Sequence, residues 1–175
     1  MIEELIRLVA PPAVPKNVPS VEEWELYEVA LGCAFPSDYK HIINTYGDGW
    51  FANWIMLSPP KNIVDNLKPL GELLGMSMSR WEKPYTFYPR ENGLMHCGTD
   101  DGNSFFTWKT LGPPDSWTLI NFPNRPHEGS EAILKCNWLE LLVGWFAGTV
   151  VNNPSDHEWY PEDVEPTQER FFRQS

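Results

Sequence analysis

The sequence predicts an α+β domain, and three observations carry that prediction. Two capped amphipathic helices fit residues 20–47, a run of strands joined by turn sequences fits 94–122, and a capped, nearly all-apolar helix fits 137–147. Helices come first, strands second and a buried helix last, without the regular βαβ alternation of nucleotide-binding sheets. With 175 residues, 42% of them hydrophobic and 14% aromatic, the chain can bury one sizeable core, so a single domain over 1–175 is expected.

Residues 1–9 fit a short helix with Ile2, Leu5, Ile6 and Val9 on one face, closed by Pro11 and Pro12. A proline-rich link leads to Ser20, which forms a capping box with Glu23. In the helix that follows, Trp24, Tyr27 and Leu31 share a side, and Gly32 supplies a left-handed stop. Pro36 suits the first turn of the next helix, where Tyr39, Ile42, Ile43 and Tyr46 fall at i, i+3, i+4 and i+7. Gly47 ends that helix, Asp48-Gly49 turns the chain, and "NWIMLSP" reads as a short strand stopped by Pro59 and Pro60. Residues 61–75 carry helical spacing that Pro69 must break, and "YTFY" at 85–88 is a candidate strand in a long loop. "GLMHCGT" and "SFFTWKT" flank the turn "DDGN" as a hairpin, and "SWTLINF" follows as a third strand. Asn137 and Glu140 cap the late helix, whose apolar residues on nearly every side require cover. The tail closes on "RFFRQ", a short strand or helix.

Thirteen Lys and Arg against 24 Asp and Glu leave a net charge of -11, which repels phosphate backbones and anionic lipid heads. Direct nucleic-acid or membrane binding is therefore not expected, whereas a basic protein would be attracted. Cys33, Cys97 and Cys136 are too dispersed for a redox pair or a compact zinc site. The acidic, proline-broken start lacks the pattern of a secretory leader, so the cytoplasm is the expected compartment. Phosphate-loop, dinucleotide, nucleophile-elbow and zincin motifs do not occur, and His41, His96, His127 and His157 are scattered. "TDDGN" lacks the spacing and the later Glu of a calcium loop and reads as a hairpin turn, with Asp100 and Asp101 at an exposed tip. No catalytic, cofactor-binding or metal-binding residue is assigned.

The stretch "EEWELYEVALGCAFPSDYKHIINTYGDGWF" resembles the signature of the SUKH superfamily, the Smi/Knr-type immunity proteins. Trp24, Glu28, Leu31, Gly32, Phe35, Pro36, Asp38, Tyr39, Lys40, Ile42, Ile43, Tyr46, Gly47, Gly49 and Phe51 carry the likeness. "GLMHCGTDDGNSFFTW" is similar to the family's hairpin, and "NWLELLVGWFAG" to its late helix. The core signature spans about 20–151, leaving 1–19 and the acidic tail 152–175 as peripheral segments. The resemblance implies a curved, mostly antiparallel sheet with helices packed around it, no cofactor and no established catalytic residues. It further implies an immunity protein that neutralises a bacterial toxin, a nuclease or deaminase, by stoichiometric binding; a regulatory adaptor for an endogenous protein is the alternative. An enzyme would need a site assembled only in space, with His96 and Asp100 as its candidates. On the binding reading the partner is a basic toxin domain, and the residues expected to face it lie beside turns or charges: Asp48, Trp50, Trp81, Asp100, Asp101, Asp115 and Trp117.

Overall fold

Helix ends organise the first third of the chain. In the computed structural model, which describes residues 1–67, 85–101, 104–122, 131–149, 151–152, 158–159 and 172–175, three helices come first. These are α1 (Ile2–Leu8), α2 (Val21–Leu31) and α3 (Ser37–Tyr46). The Ser20 side chain accepts from the Glu23 amide while the Glu23 carboxylate accepts from the Ser20 amide, so both halves of the expected capping box form. Gly32 closes α2 at φ 84°, a conformation open to glycine at little cost. Pro36 sits one residue earlier than expected, at the N-cap of α3, and the four core-facing residues Tyr39, Ile42, Ile43 and Tyr46 are all buried.

The strands build one open antiparallel sheet. It contains β1 (Gly49–Phe51), β2 (Ile55–Leu57), β3 (Leu94–Asp100), β4 (Phe105–Lys109), β5 (Thr118–Phe122), β6 (Ala132–Leu134) and β9 (Phe172–Gln174), in the order β6-β5-β4-β3-β2-β1-β9. A separate two-stranded ribbon pairs β7 (Val151–Asn152) with β8 (Glu158–Trp159). The β3–β4 hairpin and β5 fall where turn chemistry put them, with a register shift between His96 and Gly98. β1 and β6 were not anticipated as strands, and "RFFRQ" resolves into β9, which pairs with β1 at the sheet edge. "YTFY" is not a strand: only Phe87 bridges, to Leu94. Helix α4 (Pro60–Asp65) ends well before Pro69, and the rest of the 61–75 prediction lies outside the described residues.

Helix α5 (Trp138–Ala147) covers the inner face of the sheet. Trp138, Leu139, Leu141, Leu142, Trp145 and Phe146 are buried, as an all-round apolar helix requires. Trp138 packs on Phe106 with ring centroids 5.0 Å apart and lies over Gly98, where an added Cβ would come within 2.8 Å of the indole. Residues 1–19 lie outside the signature, yet α1 sends Leu5 and Val9 into the core with no exposure, and the Tyr46 hydroxyl donates to the Val9 carbonyl at 2.7 Å. Phe35, Tyr39 and Trp108 form a continuous aromatic stack, with Tyr39 edge-on to Trp108 at 5.1 Å.

Two carboxylates tie these layers together. Asp38, in the first turn of α3, accepts from the Trp138 amide at 2.7 Å and the Leu139 amide at 3.4 Å, supplementing the Asn137–Glu140 capping box at the start of α5. Burial pushes the Asp38 carboxyl above its ordinary value, while the Tyr39, Trp138 and Leu139 amides pull it back and Asp115 adds a further upward push. Asp115 in turn accepts from the Ser37 amide at 2.6 Å, capping α3 from the 3-10 turn Pro114–Ser116. Asp38→Ala should lower the unfolding free energy by about 1–3 kcal/mol, because buried amides lose their acceptor. Asp38→Asn, which keeps one carbonyl oxygen, should lose less; urea denaturation of the three proteins gives the comparison, and equal losses would refute the capping role.

Candidate interaction surface

The residues expected to face a partner are scattered by the fold. Asp100 does not stand at an exposed tip: it is the last residue of β3, only 7% exposed, and its Oδ1 accepts from the Ser104 amide at 2.8 Å. The tight turn draws this carboxylate inward to satisfy the chain's own donor. Trp117 is buried too, its indole N–H donating to the Gly112 carbonyl at 3.0 Å and its ring packed against Trp108. Asp115 is exposed, but its carboxylate is occupied at the start of α3. Asp101 is exposed just beyond β3, its amide held by the Trp54 carbonyl at 3.0 Å. Trp50 is half-buried on the sheet face away from Phe51, opposite Met56 and Arg173, and Trp81 lies outside the described residues.

Asp48 has a different setting. It lines a groove of about 290 Å³ walled by Asn17, Val18, Pro19, Glu23, Tyr27 and the Pro59–Asn62 start of α4. The backbone that places it is fixed: its amide donates to the Lys16 carbonyl at 3.0 Å and its carbonyl accepts from the Ser175 amide at 3.1 Å. A side chain at Gly47 would collide with the Lys16 backbone, so the close approach of that linker requires glycine. Among the described residues the Asp48 carboxylate makes no hydrogen bond or ion pair. The groove's lysine, Lys61, is bonded to Asp65 one turn along α4.

Sequence reasoning overlooked the groove walls and the outward side of α2. The signal was present: Val21, Leu26 and Val29 stand on a helix whose inward side already holds Trp24 and Leu31, and they are 71%, 67% and 80% exposed. Only the folded arrangement shows that none of the described residues covers them.

The nearest approach to a nucleophile and base is Ser58 with His96, whose hydroxyl and Nδ1 are 3.3 Å apart. Ser58 is 6% exposed, and its amide and carbonyl are held by the Cys97 carbonyl and the Tyr39 hydroxyl. Burial lowers His96 to about 4, so the ring is neutral at pH 7, and Asp100 is committed to Ser104. Ser58 is buried and His96 half-buried, and the two groups bond each other within the fold. Burial also raises the Cys97 and Cys136 thiols, the latter to about 12, which keeps them protonated. Among the described residues no three His, Cys, Asp or Glu side chains are grouped to hold a metal ion, and no helix is long and apolar enough to cross a membrane.

Residues 1–68 match the family model SUKH_5, described as SMI1-KNR4 cell-wall. This segment of the chain is therefore similar to the SUKH family. Neither the curated proteins nor the solved structures compared with it give a match. The matched segment runs through α1, α2, α3, β1, β2 and α4, and therefore contains every wall of the groove as well as Leu26 and Val29.

The signature residues themselves serve the fold. The Glu28 carboxylate accepts from the Phe35 amide at 3.1 Å and from Lys40 Nζ at 2.8 Å, locking the α2–α3 corner. Lys40 also lies 5.1 Å over the Trp24 ring, whose N–H donates to Asn44 Oδ1.

The His96 environment sets a pH dependence. With a native value near 4 and an unfolded value near 6.5, only the unfolded chain takes up this proton between those limits. The His96 contribution is complete above about pH 6.5, falls as the pH drops toward 4 and changes no further below it, a loss on the order of 3 kcal/mol. His96→Gln should flatten the stability profile in that window, as read from urea midpoints across the range; an unchanged slope would show that the ring titrates normally.

Proposed function

We propose that this chain is an immunity protein that neutralises a toxin domain, a nuclease or deaminase, by binding it stoichiometrically. The supporting observation is that the family match coincides with residues spent on scaffolding. Trp24, Glu28, Asp38, Tyr39 and Lys40 are committed to internal contacts, so recognition falls to the surface that they position. A net charge of -11 suits a basic partner such as a nuclease, both by accelerating encounter and by mimicking the charge of its substrate. Of the residues expected at the interface, Asp48, Trp50 and Asp101 retain exposed or half-exposed side chains.

A regulatory adaptor for an endogenous protein is the second reading, and the cell-wall description of the matching family favours it. Co-expression with any toxin domain found encoded beside the gene separates the two. Immunity predicts rescued growth, a one-to-one complex in gel filtration and an association rate that falls about ten-fold or more between low and physiological salt. Growth arrest without a complex, alongside a stable complex with a host protein, would transfer the assignment to the adaptor.

A further inference from the structure

We propose that the outward face of α2, carrying Glu22, Leu26 and Val29, forms one docking surface with the adjoining groove of Glu23, Tyr27 and Asp48, and that it receives an apolar protein ridge flanked by lysine or arginine. The proposal rests on the protein-binding reading above and assigns its location. Residues 22, 26 and 29 fall at i, i+4 and i+7 and so share a stripe. At about 100° per residue, Leu26 leads round the helix to Glu23 and Tyr27, which form the groove wall. Stripe and groove are therefore continuous.

Single exposed apolar residues are ordinary, but Leu26 at 67% and Val29 at 80% are neighbours on one helix, bordered by the exposed carboxylates of Glu22 and Glu25. An apolar centre with a charged rim is the composition of a protein interface. The rim has one sign. Lys61 is paired with Asp65 and Lys16 Nζ points to the Ser175 carbonyl at 3.4 Å, whereas the half-buried Asp48 carboxylate has no hydrogen-bond or ion-pair partner among the described residues. The charge left for an incoming group to meet is negative. At about 290 Å³ the groove lies at the small end of ligand sites, room for a side chain from a larger partner. A second copy would bring its own net charge of -11 to the same carboxylates, and phosphate would meet the same repulsion.

The test uses the full chain, labelled with ¹⁵N, and two synthetic helical peptides of one heptad pattern, Leu/Lys and Leu/Glu. The Leu/Lys peptide should shift amides within 17–29, at Asp48 and within 60–62, leaving β4 and β5 unmoved. Leu26→Ser with Val29→Ser should weaken it about ten-fold, and Asp48→Asn should reduce its salt dependence; Leu26 and Val29 are solvent-facing, Asp48→Asn is isosteric at a half-buried position, and thermal melts check that each variant keeps its fold. Shifts centred elsewhere, equal binding of the Leu/Glu peptide, or unaltered affinity of the serine variant would overturn the proposal. So would dimerisation through this face in sedimentation. A toxin complex indifferent to all three substitutions would overturn the surface while leaving the immunity reading intact. Mapped peptide binding by a chain that protects against no toxin would support the surface and reject immunity.

Discussion

The Asp38 carboxylate at the start of α5 is the contact on which the other layers depend. It joins residues 100 positions apart and places the α3 helix against the helix that covers the sheet. A helix start leaves amides without acceptors, and here they are buried beside Trp138, where water cannot replace a lost partner. Asp115 repeats the device one layer away by capping α3 itself. The order is reciprocal: the 3-10 turn before β5 holds α3, and α3 holds α5. Tyr39, next to Asp38, then packs against both Phe35 and Trp108 and donates to the carbonyl of Ser58 after β2. One turn of helix thereby fixes the register of both helix layers on the sheet.

This arrangement explains why recognition residues and signature residues separate. The side chains that define the SUKH likeness are consumed by corners, caps and the aromatic stack, and each would leave an unpaired polar group or a void if changed. On the solvent side of α2, Leu26 and Val29 stand exposed and outside that packing. A scaffold built this way can hold its shape while presenting different surfaces to different partners. The part-buried Ser58–His96 pair packs within the scaffold as well, and desolvation keeps the imidazole neutral.

Much of the local structure was legible in the sequence because its causes are local. Both capping boxes, the Gly32 stop, the i, i+3, i+4, i+7 face of α3 and the β3–β4–β5 meander follow from short-range spacing. The misjudged side chains turned on contacts made across a turn in two cases and across the chain in the third. Asp100 and Trp117 stand beside turns and read as exposed, yet Ser104 and Gly112 draw them in; Asp115 reads as free, yet it finds the α3 amide 78 residues earlier. Strands of three residues such as β1 and β6 carry too little pattern to be distinguished from loop until a neighbour pairs with them.

By itself the sequence determined the α+β class, the helix ends, the acidity and the likeness of its first 68 residues to the SUKH family, since these rest on residue type and near-neighbour spacing. Tertiary structure alone decided that α1 and β9 join the core and the sheet edge, that a carboxylate at 38 caps a helix at 138, and that α2 leaves an apolar stripe uncovered beside an acidic groove. The physical reason is that burial belongs to a place in space: an aspartate becomes a cap, or a leucine an interface, according to what the rest of the chain brings against it.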